Sequence, residues 1–426
     1  MKILHLLGSF RLPKDPDQES SSGVVRVALE LAKLQVQQGH QVVLACVGRE
    51  AWQTTWHGVT LRALKPLSWA HLRFLGRSIN LSRHLPFVLL TWQQSFDVVH
   101  SHLYYYLRGL RAKIRLAHVH GDPLHQGMGD HKVGMSAADF ALLERTANGF
   151  IAVSKFIAMR LQQGLSKASK VHVVYNGVNF ERFTVTENER ERLRQHWRHV
   201  WQAHQDATVY VYVGAVVPEK GVLQLAKAFA TIESERDDVH LVIIGSSNLW
   251  GTSQQTRDPH VTYEATVRDV LAAATERGRA HLVGKVSPSQ VAELLAASDV
   301  AVVPSIWQEP GALVILEAYA AGLPLIGSRV GGIPEIAVHG NHTLLPAGDE
   351  AALQASLAAA ADGCLAYTPA QATEIMATNN QLAGGQDLTD DPSMTHKTAF
   401  QRLQDNFSWQ RAANDIMNIY EQALHM

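Results

Sequence analysis

Apolar positions in this chain come in short unbroken runs, separated by longer stretches that are apolar at every third or fourth residue. KILHLL (2–7), QVVLACV (41–47), DVVHSH (97–102), LAHVH (116–120), GFIAVS (149–154) and VHVVYN (171–176) make a first series. ATVYVYVG (207–214), HLVIIG (240–245), HLVGKV (281–286), VAVVPS (300–305) and PLIGS (324–328) make a second. Runs without polar alternation suit strands covered on both faces, as in a parallel sheet. Segments such as VVRVALELAKLQVQQG and VLQLAKAFATIES carry helical spacing between them. The pattern is βαβ repetition carried out twice, which predicts an α/β protein.

The charged stretch TVTENERERLRQHWRHVWQAHQD (184–206) separates the two series and shows no apolar stripe, so the boundary is placed near residue 183. The stretch 367–397 is rich in Thr, Asn, Gly and Asp and reads as a long loop. A last amphipathic helix, SWQRAANDIMNIYEQAL, follows it. Composition narrows the classes. With 38 basic and 39 acidic residues among 426, the net charge is −1, unlike the basic balance of a nucleic-acid binder. The two cysteines, Cys46 and Cys364, stand far apart, make no disulfide or metal spacing and point to a reducing cytoplasm. MKILHLLGSF is too short for a signal peptide, and no apolar run nears the ~20 residues that cross a bilayer.

Two features speak to chemistry. After the first strand Gly8 stands alone in LLGSFRLPKD and the next glycine is Gly23, so the dinucleotide fingerprint G-x-G-x-x-G is missing. In EPGALVILEAYAAGLPLIGSRVGGIPE, a short turn at Gly311 and Ala312 lies between Glu309 and Glu317. Glu309 is expected in the loop before a helix and Glu317 about two turns inside it, facing the same cleft. Carboxylates so placed hold a polyhydroxylated ligand, and free amides at the helix start face an anion. Glu317 is set among Leu313, Val314, Leu316 and Ala318, a packed setting in which a carboxylate needs partners.

Several segments, in order over nearly the whole chain, together resemble the retaining glycosyltransferases of family 4. They are SSGVVRVALELAKLQVQQGHQV, HVHGDP, IAVSKF, VVYNGVNFERF, YVGAVVPEKGV, the Glu-x(7)-Glu block VVPSIWQEPGALVILEAYAAGLPLIGSRVGGIPE, and FSWQRAANDIMNIYEQAL. GSSNLWG and the W-x-E-P wording further resemble the spore-coat polysaccharide branch. The resemblance implies the GT-B fold: two Rossmann-like domains with parallel sheets facing across a cleft, and a C-terminal helix crossing back to the first domain. Residues 1–183, with the closing helix 408–426, would bind the acceptor, and residues 184–405 the nucleotide-sugar donor. The implied reaction moves a hexosyl group, with retention, from a donor expected to be UDP-linked to an acceptor hydroxyl in polysaccharide, glycolipid or other glycoconjugate synthesis.

Site roles follow from the same resemblance. Lys220 matches the lysine that neutralises the departing diphosphate, His120 the histidine near the anomeric centre, and Glu309 the contact to hydroxyls of the transferred sugar. The implied donor-binding set is Gly23, Gly214, Lys220, Lys285, Glu309, Gly311, Ala312, Leu313, Val314 and Glu317. Within it Glu317 holds the ribose hydroxyls, and the amides of residues 312–314 meet the distal phosphate. The nucleotide sugar is a co-substrate, and neither a cofactor nor a metal is expected. The chain departs from the pattern at Ala215, where the family usually has Arg, and more mildly at Asn179 and at Gly311-Ala312. Losing one donor of that kind costs roughly 2.7–4 kcal/mol of transition-state stabilisation. Either another cation or the amides at 311–314 then carry the charge, or turnover is slow.

His100-Ser101-His102 and His118-Val119-His120 each put two histidines on one strand face, a pattern that also suits zinc. With 22 histidines in the chain and no acid or cysteine spaced beside them, they are read as strand histidines. Asp15-Pro16-Asp17 is formally D-x-D but sits in a polar loop. The stretch 64–92 mixes aromatics with Arg73, Arg77 and Arg83. It reads as amphipathic helices with acceptor loops, or as a peripheral contact to an anionic membrane. A lipid-linked acceptor unites the two and places a cytoplasmic protein at the inner membrane surface. The expected partners are thus a nucleotide-sugar donor and a saccharide, lipid-linked or small-molecule acceptor, without nucleic acid. Two rivals stay open: a non-catalytic nucleotide-sugar-binding protein, for which Ala215 speaks, and a sugar-nucleotide epimerase or hydrolase on the same fold.

Overall fold

The unbroken apolar runs become the central strands of two separate sheets. The computed structural model describes residues 1–74, 77–103, 107–125, 134–166, 170–247, 259–364 and 399–425. The stretch 367–397 and the GSSNLWG motif beyond Ser247 lie outside them. The chain divides into one unit of Met1–Gly177 with the segment from Trp409 on, and another of Val178–Ser408. The division falls six residues ahead of the boundary read from the charge run, because the short helix Phe180–Phe183 packs on the helix Pro288–Ala297 of the second unit.

In the first unit the strands are β1 (Lys2–Leu6), β2 (Gln41–Val47), β3 (Trp52–Trp56), β4 (Val59–Leu64), β5 (His71–Phe74), β6 (Arg77–Asn80), β7 (Val98–Ser101), β8 (Ile114–Val119), β9 (Gly149–Ala152) and β10 (Val171–Val173). The main sheet runs β10-β9-β8-β7-β1-β2-β4-β3. Neighbours are parallel except β3 and β4. That edge hairpin is absent from the sequence reading, since its strands alternate instead of running apolar. His57 and Gly58 (φ 45° and 80°) make its two-residue turn, the left-handed pair that matches strand twist. The helical expectation for 64–92 is corrected too. β5 and β6 pair as an antiparallel hairpin, and the α-helix begins only at Leu85, running to Gln93.

The second unit holds β11 (Thr208–Val213), β12 (Val239–Ile244), β13 (Ala280–Gly284), β14 (Val300–Val303), β15 (Leu325–Ser328) and β16 (His342–Leu345). They form an all-parallel sheet in the order β13-β12-β11-β14-β15-β16. Tyr210, Phe229, Leu241, Ile243, Ile326 and Leu357 belong to its core. The helix Glu187–Trp201 does have a buried face, made by Trp201 and Arg198. Arg198 is hidden from a hydropathy reading because it packs by hydrogen bonds, to the His204 and Ala207 carbonyls and to Asp299 (2.7–2.8 Å).

Strand order fixes where loops gather. In a parallel sheet a crevice opens beyond the carboxyl ends where successive connections leave in opposite directions. That point lies between β1 and β7 in the first unit and between β11 and β14 in the second. Among the described residues, no helix is long and apolar enough to cross a membrane.

Candidate functional site

At the second unit's switch point, the loops after β11 and β14 are locked backbone to backbone. Ile306 N donates to the Glu219 carbonyl (2.9 Å). Gly221 caps the 3-10 turn Pro218–Lys220 at φ 68°, and a Cβ there would stand 1.9 Å from the Pro304 oxygen. Only glycine tolerates both conditions. The interlock delivers Lys220 to Glu309: Nζ donates to Oε2 at 2.6 Å, and both side chains are largely buried. Trp307 Nε1 (2.8 Å) and Ser305 Oγ (3.2 Å) donate to the same oxygen. The Lys220 ammonium also lies 5.3 Å from the Trp307 ring centroid. Behind Glu309, Gly331 adopts φ 55° where a Cβ would come within 2.2 Å of the Glu309 carbonyl oxygen, and Gly332 N donates to that oxygen (2.7 Å).

The other donor-set residues of this unit sit on the same carboxyl edge, whereas Gly23, also in that set, belongs to the first unit. Gly214 and Ala215 leave β11, and buried Tyr212 donates its hydroxyl to the Ala215 carbonyl (2.7 Å). Burial pushes that phenol well above its ordinary pKa, so it stays a donor. Lys285 follows Gly284 at the end of β13. Gly311 and Ala312 lead into the helix Leu313–Ala320, whose first amides have no intrahelical acceptor, and Ala312 gives no side-chain cap. Glu317 is buried, but it is the fifth residue of that helix, just past the first turn and not two turns in. Lys220 and Glu309 are thus brought into contact. Ser305, Trp307 and Gly331 complete their surroundings; Trp307 is the aromatic of the W-x-E-P wording, and no site role is read for any of the three from sequence.

The first unit builds something different at its own switch point. β1, β7 and β8 are adjacent, and side chains alternate across a strand. Leu4, Leu6, Val99, Ala117 and Val119 fill one face of the sheet. The other receives His5, His100, His102, His118 and His120. These rings stack or tilt on one another at centroid distances of 4.1–5.4 Å. The helices Gly23–Gln37 and Trp409–His425, which pack together, supply buried Gln35 and Tyr420. Desolvation is the largest cause that lowers every one of the five pKa values, His5 to about 4 and His120 to about 3. All are neutral near pH 7. His120 is the partly exposed member, at the carboxyl end of β8. Its loop is pinned by Asp122, which accepts from Arg160 Nε (2.9 Å) and Nη2 (3.0 Å). Gly23 is the exposed first residue of its helix, beyond the carboxyl end of β1. The D-x-D acids have structural partners: Asp17 accepts from Trp56 Nε1 (2.9 Å), and Asp15 from the Asp17 amide (3.2 Å).

Residues 21–182 match the family described as Glycosyltransferase Family 4, and residues 194–363 that described as Glycosyl transferases group 1. Spore coat protein SA of Bacillus subtilis is 29% identical over 273 residues, 64% of each chain, so the match spans slightly under two thirds of that relative. Alpha-maltose-1-phosphate synthase of Mycobacterium tuberculosis is 30% identical, over 63% of this chain and 70% of its own. Among solved structures, HepE of Anabaena, in complex with UDP or with UDP-glucose, has a TM-score of 0.67 at 17% identity. That likeness covers 99% of this chain and 100% of that one, and it shows the fold to be GT-B.

Proposed function

This chain belongs to glycosyltransferase family 4, and from that premise we propose that it moves a sugar from a nucleotide-sugar donor to an acceptor hydroxyl in glycoconjugate synthesis. The observation that carries the proposal is the Lys220–Glu309 pair, a cation and a carboxylate held 2.6 Å apart where an α/β sheet binds ligands. The UDP and UDP-glucose of the Anabaena neighbour support a UDP-linked donor.

In this reading the second unit binds the donor and the first the acceptor. Glu317 takes the ribose hydroxyls and Glu309 those of the transferred sugar. An ammonium has three donors. Lys220 spends one on Glu309 and turns others to the diphosphate, together with the amides at 312–314. Fixed positive charge of this kind stabilises the leaving group as the C1–O bond breaks through an oxocarbenium-like state. The acceptor attacks from the face the diphosphate leaves, whose oxygen takes the proton, so configuration is retained without a divalent ion. Trp69, Leu81, Leu89 and Trp92 are exposed in the described part of 64–92, which supports a peripheral contact for a lipid-linked acceptor.

The test is calorimetric titration with UDP and a panel of UDP-sugars, beside turnover assays with and without EDTA. Uptake of a UDP-sugar and chelator-resistant transfer are the expected results. Absence of uptake for every nucleotide sugar overturns the reading. An epimerised donor, or UDP release with free sugar as sole product, assigns the epimerase or hydrolase instead.

A further inference from the structure

The five clustered histidines of the first unit are joined in two hydrogen-bonded arms that start from one amide. In the first arm Gln35 Oε1 lies 2.7 Å from His5 Nε2, His5 Nδ1 lies 3.0 Å from His102 Nε2, and His102 Nδ1 lies 2.9 Å from His120 Nε2. In the second, Gln35 Nε2 lies 3.4 Å from Tyr420 Oη, Tyr420 Oη 2.5 Å from His100 Nδ1, and His100 Nε2 3.0 Å from His118 Nδ1. A neutral imidazole has one N–H and one lone pair. In a chain of such rings, the direction of the first bond therefore dictates every later one.

Two directions exist in principle, related by a flip of the Gln35 amide. The Tyr420 contact decides between them: a phenol O–H is a stronger donor than a neutral imidazole N–H, and an imidazole nitrogen a stronger acceptor than a phenol oxygen, so the proton between Tyr420 and His100 is the phenol's. Tyr420 then gives its proton to His100 and receives the Gln35 amide N–H. Gln35 Oε1 is thereby left to accept from His5 Nε2–H. It follows that His102 is protonated on Nε2, that His120 is protonated on Nε2, and that His120 Nδ1 is bare. In the other arm His118 is left with an Nε2–H, and that atom has no partner among the described residues.

We propose that Gln35 is a positioning residue: it sets the tautomer of His120 through His5 and His102, so that the ring offers bare Nδ1 as a hydrogen-bond acceptor to a hydroxyl of a bound saccharide. The saccharide in this statement rests on the transfer reading above, whereas the tautomer stands on the first unit's geometry alone. The arrangement resembles the way an outer partner fixes the orientation and tautomer of a working histidine. His5, His100 and His102, and likewise His102, His118 and His120, are also close enough to ligate one ion. All of their nitrogens except His118 Nε2 and His120 Nδ1, however, are already engaged within the two arms, and no carboxylate is among them to offset a buried dication.

The experiment is a two-bond proton–nitrogen correlation spectrum of the full chain, labelled with nitrogen-15 in its histidine rings. His120 is assigned by the signal lost in His120→Asn. In the ligand-free wild type His120 is expected as a single tautomer, protonated on Nε2. In Gln35→Met, which keeps the volume but removes the acceptor, both tautomers of His120 are expected in comparable amounts. Three results overturn the proposal: wild-type His120 protonated on Nδ1, an unchanged His120 tautomer in folded Gln35→Met, or tight uptake of one equivalent of Zn²⁺ that removes these N–H signals. If Gln35→Met fails to fold, the wild-type spectrum still decides. Because no substrate is present, failure of the transfer reading leaves this result intact, and the reverse also holds.

Discussion

The two switch points solve the placement of polar groups in opposite ways. In the second unit, three donors converge on one oxygen of Glu309, and one of them is a cation. In the first, neutral rings pass hydrogen bonds along in series, each link joining one nitrogen to a single neighbour. A convergent set tolerates the loss of a member, because the acceptor keeps its others. A serial arm does not, because every later bond depends on the one before. The chemistry differs accordingly. Convergent charge suits a departing diphosphate, and a neutral arm suits the fixed orientation of a hydroxyl.

The largest effect is expected where the comparison is starkest, at the only cation in either set. Lys220→Ala should lower kcat by about 10²–10³, which is roughly 2.7–4 kcal/mol of transition-state stabilisation. Its removal also leaves a buried carboxylate without its counter-charge, although Trp307 and Ser305 still donate to it. The double variant Lys220→Met/Glu309→Gln separates the two consequences: thermal stability should return towards wild type while kcat stays low. Wild-type kcat in Lys220→Ala would remove the lysine from the chemistry and erase the contrast between the units.

That contrast also explains what was legible beforehand. The strands of both sheets announce themselves as apolar runs, and Glu309 and Glu317 lie close in sequence within one loop and helix. Lys220 was found by its motif. Its 89-residue link to Glu309 was not, since it depends on β11 and β14 being neighbours. The histidine arms are worse placed for reading. His5 meets Gln35 across 30 residues and His102 across 97, while His100 meets Tyr420 across 320. Two of the three contributing strands carried visible histidine pairs, but His5 looked like one polar residue in an apolar strand. Arg198 escaped because a buried guanidinium defines a helix face without any apolar stripe.

Acid should unfold the first unit more readily than the second. Burial holds the folded pKa of His5 near 4, below the ordinary 6.5. Below pH 6.5 the unfolded chain therefore binds a proton that the folded chain refuses, so stability falls as pH drops and is fully present only above that value. For His5 the slope approaches about 1.4 kcal/mol per pH unit between roughly pH 6 and 4. His100, His102, His118 and His120 act in the same direction. The second unit has a smaller counterpart in His240 and His281, stacked rings that burial also lowers to about 4. Hydrogen exchange, corrected for its intrinsic pH dependence, should show amides of β1, β7 and β8 losing protection faster than those of β11 and β14 between pH 7 and 5. Equal loss in both units would mean that the five rings are not neutral in the folded state.

The smallest expected effect tests convergence itself. Ser305→Ala removes the longest of the three bonds to Glu309 Oε2, at 3.2 Å against 2.6 Å for Lys220 and 2.8 Å for Trp307. The carboxylate keeps a charged donor and an indole N–H, so it is not orphaned. A hydrogen bond lost without stranding its partner costs only about 0.5–1.5 kcal/mol. Chemical denaturation should show a midpoint shift of that order, with kcat changed less than about tenfold. A serial arm predicts the opposite pattern, because its first bond directs all the rest. Should Ser305→Ala instead reduce kcat as deeply as Lys220→Ala, the three donors would be links in a chain, and both units would share one logic.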